Sequence, residues 1–177
     1  MVVVRDPLLF RRLIMGYMCL EAVAMVIFVI APVHMTIRPP LESITQTDFF
    51  SWTVQFCYWV DRPTCCLPSL HVAAATYSAL CALRVDPWIG RASLAIAVLI
   101  ALSTLLVKQH FIADVILGGA LAAGCYHLLM RSAEPLDAAK LAFPRKYCWI
   151  AVGIFGAMVA GIYTAYSLGW QPWNAAP

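Results

Sequence analysis

Four long apolar runs limit what this chain can fold into. They cover residues 12–33, 87–107, 111–130 and 147–168, and a shorter fifth run covers 69–84. A helix needs about 20 apolar residues to cross roughly 30 Å of hydrocarbon. Hydrophobic residues make up 63% of the chain and charged residues 12%, whereas soluble domains are about 25% charged. We therefore predict an all-α, polytopic transmembrane helix bundle with about five spans.

The chain reads as one transmembrane domain over residues 1–177, because it contains no low-complexity segment and no internal repeat. Arg11 and Arg12 lead into a full-length apolar run that lacks a small-residue cleavage site. We expect that run to be a retained helix.

The basic residues predict the orientation of the spans, because Lys and Arg accumulate in cytoplasmic loops. If the spans alternate, nine of the twelve fall on one side, which we expect to be cytoplasmic: Arg5, Arg11, Arg12, Arg84, Arg91, Arg131, Lys140, Arg145 and Lys146. The other three, Arg38, Arg62 and Lys108, fall on the outer side, where an orientation signal does not explain them. The basic residues form no single patch, so we expect no nucleic-acid partner.

The seven cysteines show no C-x-x-C spacing, which argues against zinc or thioredoxin-type chemistry. Cys57, Cys65 and Cys66 fall on the outer side and are candidates for a disulfide in an oxidising compartment.

The aromatic segment FFSWTVQFCYWV, residues 49–60, is too short to span. We expect it to lie at the membrane interface and to line a lipid entrance.

Two further features lie inside the spans. Glu21 is a mid-span carboxyl group, which makes it a functional hypothesis by default, with a structural hydrogen bond as the alternative. Small residues at four-residue spacing predict helix packing faces: Gly119 with Ala123, and Gly153 with Ala157 and Gly161.

Two short stretches carry the residues suited to chemistry. In CLPSLHVAAATYSAL, residues 66–80, Ser69 is a good N-cap residue after Pro68, which places His71 in the first helical turn. In LVKQHFIADVILGG, His110 and Asp114 are four residues apart at a helix start and share one face. The carboxylate can then fix the imidazole tautomer and raise its nucleophilicity.

Span alternation brings these residues to the same side of the membrane. A pocket with several cations and two helix N-termini suits an anion, and phosphate is the natural candidate. We expect Arg38, Lys108, Arg62 and the amides near Ser69 to bind it. A metal site on the two histidines and Asp114 is chemically feasible, but the cations would repel a divalent ion, so we expect no metal and no cofactor.

Simpler interpretations exist for each of these residues. A boundary histidine is often only an interfacial residue, and we favour that for His34 and His127. Asp114 can also serve as a dipole partner for its own helix. Arg38, Arg62 and Lys108 can also face lipid headgroups.

The histidine stretches resemble the type 2 phosphatidate phosphatase superfamily over residues of about 30–130. The second family motif, Pro-Ser-Gly-His, corresponds to Pro68–His71, and the third, Ser-Arg-x5-His-x3-Asp, corresponds to Ser103–Asp114. The resemblance implies that His110 is the nucleophile and forms a phosphohistidine. It further implies that Asp114 orients His110, that His71 is the general acid, and that no metal is required.

The chain departs from the family pattern at three positions. Ala31 stands where the first motif has lysine, so that motif survives only as Arg38-Pro39. Thr104 replaces the arginine of the third motif, where Lys108 is placed to supply a charge, and Leu70 replaces the glycine of the second. The stretches Pro-Ser-Leu-His at 68–71 and Lys-Gln-His-Phe at 108–111 look more like the inositol phosphorylceramide synthase-like branch, whose members transfer a phospho-headgroup to a lipid alcohol. Two helices of the usual six-span core are absent before the first motif, so we expect either a trimmed fold or a truncated start.

Together these features predict a membrane lipid phosphatase or phospho-headgroup transferase acting on the non-cytoplasmic face. The expected substrate is a phospholipid or an isoprenoid phosphate in the bilayer, with water or a lipid alcohol as acceptor. We expect a multi-pass protein of a bacterial inner membrane whose active site faces outward. The alternative is a non-catalytic lipid-binding or transport protein with a decayed phosphatase site, which Ala31 and Thr104 favour.

Overall fold

The computed structural model describes residues 7–61, 63–130 and 145–175, which form six α-helices and no β-strand. The helices are α1 (Pro7–Ile30), α2 (Phe49–Val60), α3 (Leu70–Val85), α4 (Pro87–Leu106), α5 (Ile112–Met130) and α6 (Arg145–Ser167). In α1, α4, α5 and the Trp149–Ser167 part of α6, the apolar length suffices to cross a membrane. The 16-residue α3 is shorter, at about 24 Å. The prediction of an all-α, multi-pass helix bundle is confirmed.

The described residues form two compact units. The first contains residues 7–37 and 63–130, and the second contains residues 38–61 and 145–175. Both histidine stretches belong to the first unit. The prediction of a single transmembrane catalytic domain over residues 1–177 stays a prediction.

The core of the first unit lies between α1, α3 and α5, and α4 packs against α3. Close approach of α1 to α3 depends on Gly16, because a Cβ atom there would overlap the Tyr77 ring. Tyr77 is fully buried and packs edge-to-face on Tyr17, with 5.1 Å between ring centroids. The buried core side chains are Leu9, Leu13, Leu20, Ala73, Tyr77, Cys81, Ala122, Cys125 and Met130.

The predicted small-residue packing faces are wrong for contacts within the described part of this chain. A Cβ atom added at Gly119, Gly153 or Gly161 would meet no atom within 4 Å. The close contact on α5 is made instead by Gly118 and Ala122, which are buried. The four-residue spacing was therefore right for α5, but the face was displaced by one residue. On α6, the described side chains from 149 to 161 are exposed.

The second unit is built around the aromatic helix α2. Asp48 caps its start, accepting from the Ser51 amide at 2.8 Å, and these bonds lower the pKa of the Asp48 carboxyl. Trp52 is buried, stacks on Phe56 with 5.4 Å between centroids, and donates its indole N–H to the Trp170 carbonyl at 2.9 Å. Segment 49–60 is thus a short helix, and its interfacial position stays a prediction.

Candidate active site

The first histidine stretch starts α3 in the way the sequence predicted. Ser69 is fully buried, and its hydroxyl accepts from the Val72 amide at 3.4 Å, a long capping contact. The helix begins at Leu70, so His71 occupies the first turn. The His71 ring is exposed. The His71 side chain is therefore accessible at the start of α3.

The second histidine lies in a tight turn between α4 and α5, two residues before α5 begins at Ile112, close to the helix start that the sequence predicted. The Lys108 amide donates to the Leu105 carbonyl at 3.1 Å, and the Gln109 amide donates to the Thr104 carbonyl at 2.9 Å. This is the Schellman arrangement, whose turn residue is usually glycine with positive φ. Here that residue is Lys108, with φ of 53°. The Thr104 carbonyl also accepts from the His110 amide at 3.3 Å, which ties the backbone of His110 to the end of α4.

The hydrogen bonds of the His110 ring define its tautomer. The Nδ1 atom lies 3.0 Å from the main-chain carbonyl oxygen of Cys66. A carbonyl oxygen can only accept, so Nδ1 carries the hydrogen and donates it. In the neutral ring, Nε2 then carries no hydrogen and has a lone pair. That is the tautomer a nucleophilic Nε2 requires.

Asp114 lies on the same side of the His110 ring, but slightly farther away. Its Oδ2 atom is 3.5 Å from His110 Nδ1, and it accepts from the Phe111 amide at 2.8 Å. The carboxyl group is almost completely buried, with 2% exposure. One oxygen therefore caps the start of α5 and places negative charge beside the imidazole. The carbonyl of Cys66 is the closer partner of Nδ1.

The two imidazoles meet through their remaining nitrogens. His71 Nδ1 is 3.4 Å from His110 Nε2, and the ring planes are inclined by 62°. A phosphorus atom poised for attack has to lie about 3–3.5 Å from the nucleophile. A phosphate attacked by His110 Nε2 would therefore have to replace this contact, with the exposed His71 ring beside it.

His110 is buried, and its surroundings affect its charge. Burial lowers the pKa of His110 below its ordinary value, and the neighbouring His71 lowers it further. Asp114 and the hydrogen bond to Cys66 oppose the shift without reversing it. The ring is therefore held in the neutral form that has a lone pair.

A direct main-chain contact holds the two histidine stretches together. The Ser69 amide donates to the Asp114 carbonyl at 3.0 Å. Gly118, one turn farther along α5, lies so close to Ser69 that a Cβ atom would be 2.5 Å from the Ser69 carbonyl oxygen. The start of α3, which bears His71, is thus fixed against the first turns of α5.

The predicted phosphate-binding residues that the structure describes belong to two different units. Ser69 is at the start of α3, and Lys108 is exposed in the turn two residues before His110. Arg38 belongs to the second unit, where its guanidinium donates to the Asp61 carbonyl at 2.6 Å and lies over the Tyr58 ring. Arg62 lies outside the described residues. The phosphate-binding roles of all four stay predictions.

Thr104 occupies the position of the family arginine, and its side chain is buried. Its hydroxyl donates to the Ala101 carbonyl at 2.8 Å, within α4. This side chain is therefore committed to its own helix.

Among the described residues, no three His, Cys, Asp or Glu side chains are grouped to hold a metal ion. The cysteines whose side chains are described are free thiols, including the disulfide candidates: Cys19, Cys57, Cys65, Cys66, Cys81 and Cys125.

Comparison with known proteins identifies the class that this bundle and its paired histidines define. A model of the PAP2 superfamily matches residues 12–137. The chain belongs to the PAP2 superfamily, whose members are generally phosphatases acting on lipid phosphates in membranes. No curated protein and no solved structure matches the chain.

Sequence reasoning missed two groups in the site, the Cys66 carbonyl and Gly118. The carbonyl is a main-chain atom, so no side-chain pattern marks it. Gly118 is adjacent to Gly119, and spacing alone does not say which of the two packs.

Proposed function

We propose that the chain is a lipid phosphatase or phospho-headgroup transferase that acts through a phosphohistidine on His110. The arrangement of the His110 ring supports this most directly. Its Nδ1–H is held by the Cys66 carbonyl, and its Nε2 faces His71. An unprotonated ring nitrogen beside a second imidazole is what nucleophilic attack with proton delivery requires.

In the first step, Nε2 of His110 attacks phosphorus in line with the bond to the leaving oxygen. A nitrogen–phosphorus bond forms, the phosphorus–oxygen bond breaks, and His71 gives its proton to the departing alkoxide. The His110 ring then bears a positive charge, which the Asp114 carboxylate at 3.5 Å stabilises. Phosphoryl transfer depends largely on such positioning and charge stabilisation.

In the second step, His71 acts as the base. It takes a proton from water or from a lipid hydroxyl, whose oxygen attacks phosphorus and releases His110. Water gives a phosphatase, and a lipid alcohol gives a transferase. Leu70 and the Lys108-Gln109-His110 sequence, which look like the inositol phosphorylceramide synthase-like branch, favour the transferase.

The phosphate oxygens need donors and positive charge. The start of α3 at Ser69 offers main-chain amides with the helix dipole behind them. Lys108 offers an exposed ammonium group in the turn that carries the nucleophile. Arg38 and Arg62 complete the proposed phosphate-binding set.

We assign the reaction to the non-cytoplasmic face because nine basic residues lie on the opposite side of the predicted spans. Membrane-impermeant thiol reagents applied from outside, to a protein lacking native cysteines, should label a cysteine at position 43 and not one at 137. The reverse labelling pattern would move the active site to the cytoplasmic face.

Exchange of each histidine for alanine tests the assigned roles. His110→Ala should abolish both turnover and covalent phosphorylation of the protein. His71→Ala should slow an alkyl phosphate ester by about 10²–10⁴-fold, the usual range for general acid catalysis. It should slow a nitrophenyl ester far less, because nitrophenolate departs without a proton.

His34→Ala is the matched control, because His34 is an exposed histidine outside the catalytic set, and its turnover should equal that of the wild type. If His110→Ala turns over as fast as wild type, or still becomes phosphorylated, His110 is not the nucleophile. If His71→Ala is equally impaired on both esters, His71 is not the acid. Wild-type protein inactive on all phospholipids and isoprenoid phosphates would favour the non-catalytic alternative.

A further inference from the structure

The proposed reaction gives no role to Glu21, an ionisable side chain whose burial in hydrocarbon is energetically unfavourable. Glu21 lies about 21 Å from one end of the 24-residue α1 and about 14 Å from the other, close to the middle of the span. Its side chain is exposed on the outside of the bundle. Among the described residues, it makes no hydrogen bond or ion pair.

Hydrocarbon does not satisfy such a group. Ionisable side chains within spans almost always face a bundle interior or pair with another polar group. A carboxyl group is least costly there as the neutral acid in a hydrogen bond. Among the described residues of a single copy, Glu21 is exposed and has no polar partner, so hydrocarbon around α1 would leave its carboxyl group unsatisfied.

The residues around Glu21 form a continuous seam along α1. The seam contains Ile14, Met18, Glu21, Met25 and Phe28, with alternating steps of four and three residues. Met18 and Met25 are 67% and 53% exposed. The side chains that pack into the bundle, such as Leu20 and Ala24, lie on a different side of the helix. A 3.5-residue repeat is the pattern by which two helices pair along their length, and a single polar residue in it fixes their register.

We propose that this seam pairs with the same seam of a second copy of the chain. Copies in one membrane share one orientation, so a two-fold axis along the membrane normal sets residues of equal depth against each other. Glu21 then meets Glu21 of the second copy. Two neutral carboxyl groups are complementary, because each hydroxyl can donate to the carbonyl oxygen of the other.

The exposed face of α6 is a second candidate surface for pairing of two copies, but the observations that favour it are weaker. Gly153 and Gly161 leave space along α6, but the exposed stretch from 149 to 161 contains no charged side chain. Lipid can cover such a surface at no polar cost. The α1 seam contains a group that lipid cannot satisfy.

Single-molecule counting in liposomes, over a range of protein-to-lipid ratios, tests the pairing. The wild type should be dimeric, and Glu21→Leu should shift the monomer–dimer midpoint by about tenfold, as expected for an interhelical hydrogen bond in a membrane. Glu21→Gln is the matched control, because the amide also has one donor side and one acceptor side, and it should remain dimeric. A monomeric wild type, or Glu21→Leu dimerising as tightly as wild type, would overturn the proposal.

Cross-linking tests the interface with Glu21 unchanged, so its result does not depend on the folding of Glu21→Leu. With the native cysteines replaced by alanine, Met18→Cys and Met25→Cys should each form disulfide-linked dimers. Val23→Cys, exposed on α1 but off the seam, should not. Cross-linking through Val23→Cys instead, or through Ala157→Cys on α6 alone, would show that the copies do not meet along this seam.

Discussion

Adding one methyl group at Gly118 should separate the two halves of the active site. The new Cβ atom would lie 2.5 Å from the Ser69 carbonyl oxygen, whereas ordinary contacts begin at 3.4 Å. The backbone of α5 and the start of α3 therefore have to move apart by about 0.9 Å, the difference of these distances. Both atoms belong to the backbone or are fixed to it, so rotation of a side chain cannot absorb the shift.

The displacement has two measurable consequences. It stretches the Ser69 amide to Asp114 carbonyl distance from 3.0 Å to about 3.9 Å, beyond hydrogen-bonding range. Overpacking of this kind costs about 1–3 kcal/mol, less the roughly 0.5–1 kcal/mol gained when alanine replaces glycine in a helix. It also displaces His71 from His110, and a misplacement of about 1 Å can cost about 10²-fold in rate.

The neighbouring glycine provides the control. A Cβ atom at Gly119 meets no atom within 4 Å, so Gly119→Ala should be as active as wild type and slightly more stable. Gly118→Ala should melt lower and turn over about 10²-fold more slowly, measured by thermal unfolding in detergent and by phosphate release. Equal melting temperatures and equal turnover for the two variants would show that the Ser69–Gly118 contact is not what aligns the histidines.

Further predictions concern the Lys108 turn, the charge of His110 and the need for a metal. Lys108→Gly and Lys108→Ala should lower the affinity for phosphate by the same factor. Glycine should be the more stable by about 1 kcal/mol, since it accepts the positive φ freely; full affinity in Lys108→Gly would exclude an electrostatic role. An ordinary histidine titrates near pH 6.5. Because the pKa of His110 is lowered, single-turnover phosphorylation by a nitrophenyl ester should persist at pH values below that. In the window between the lowered and the ordinary pKa values, the unfolded chain binds more protons, so the free energy of unfolding should rise as the pH rises and decrease as the pH is lowered, and His110→Gln should remove that slope. An acid limit of phosphorylation above pH 6.5 would contradict the shift. Turnover should survive excess chelator, and a loss reversed by zinc would favour a metal site.

The parts of the fold that depend on local sequence could be predicted. Apolar length located α1, α4, α5 and α6, because crossing hydrocarbon is a requirement that each segment meets alone. The start of α3 followed from Pro68 and Ser69 for the same reason, since a cap acts over one turn. The meeting of His71 and His110 was also anticipated, from span alternation.

The remaining features depend on contacts between distant segments. The sequence permitted packing at either Gly118 or Gly119, and only the position of Ser69 decides between them. Lys108 has the positive φ that usually belongs to glycine. The residue type at position 108 therefore does not predict that turn. Asp114 was expected to be the partner of His110, yet the nearer acceptor is a carbonyl 44 residues away in sequence.

That carbonyl has a consequence for how the site tolerates mutation. Every amino acid supplies a main-chain carbonyl, so exchange of the Cys66 side chain leaves the acceptor of His110 Nδ1 chemically intact. Position 66 can therefore vary among descendants of this protein, within the limits of a buried volume, without loss of the His110 tautomer that the proposed nucleophilic attack requires. An inventory of invariant side chains would overlook the acceptor closest to the ring N–H of His110, the proposed nucleophile.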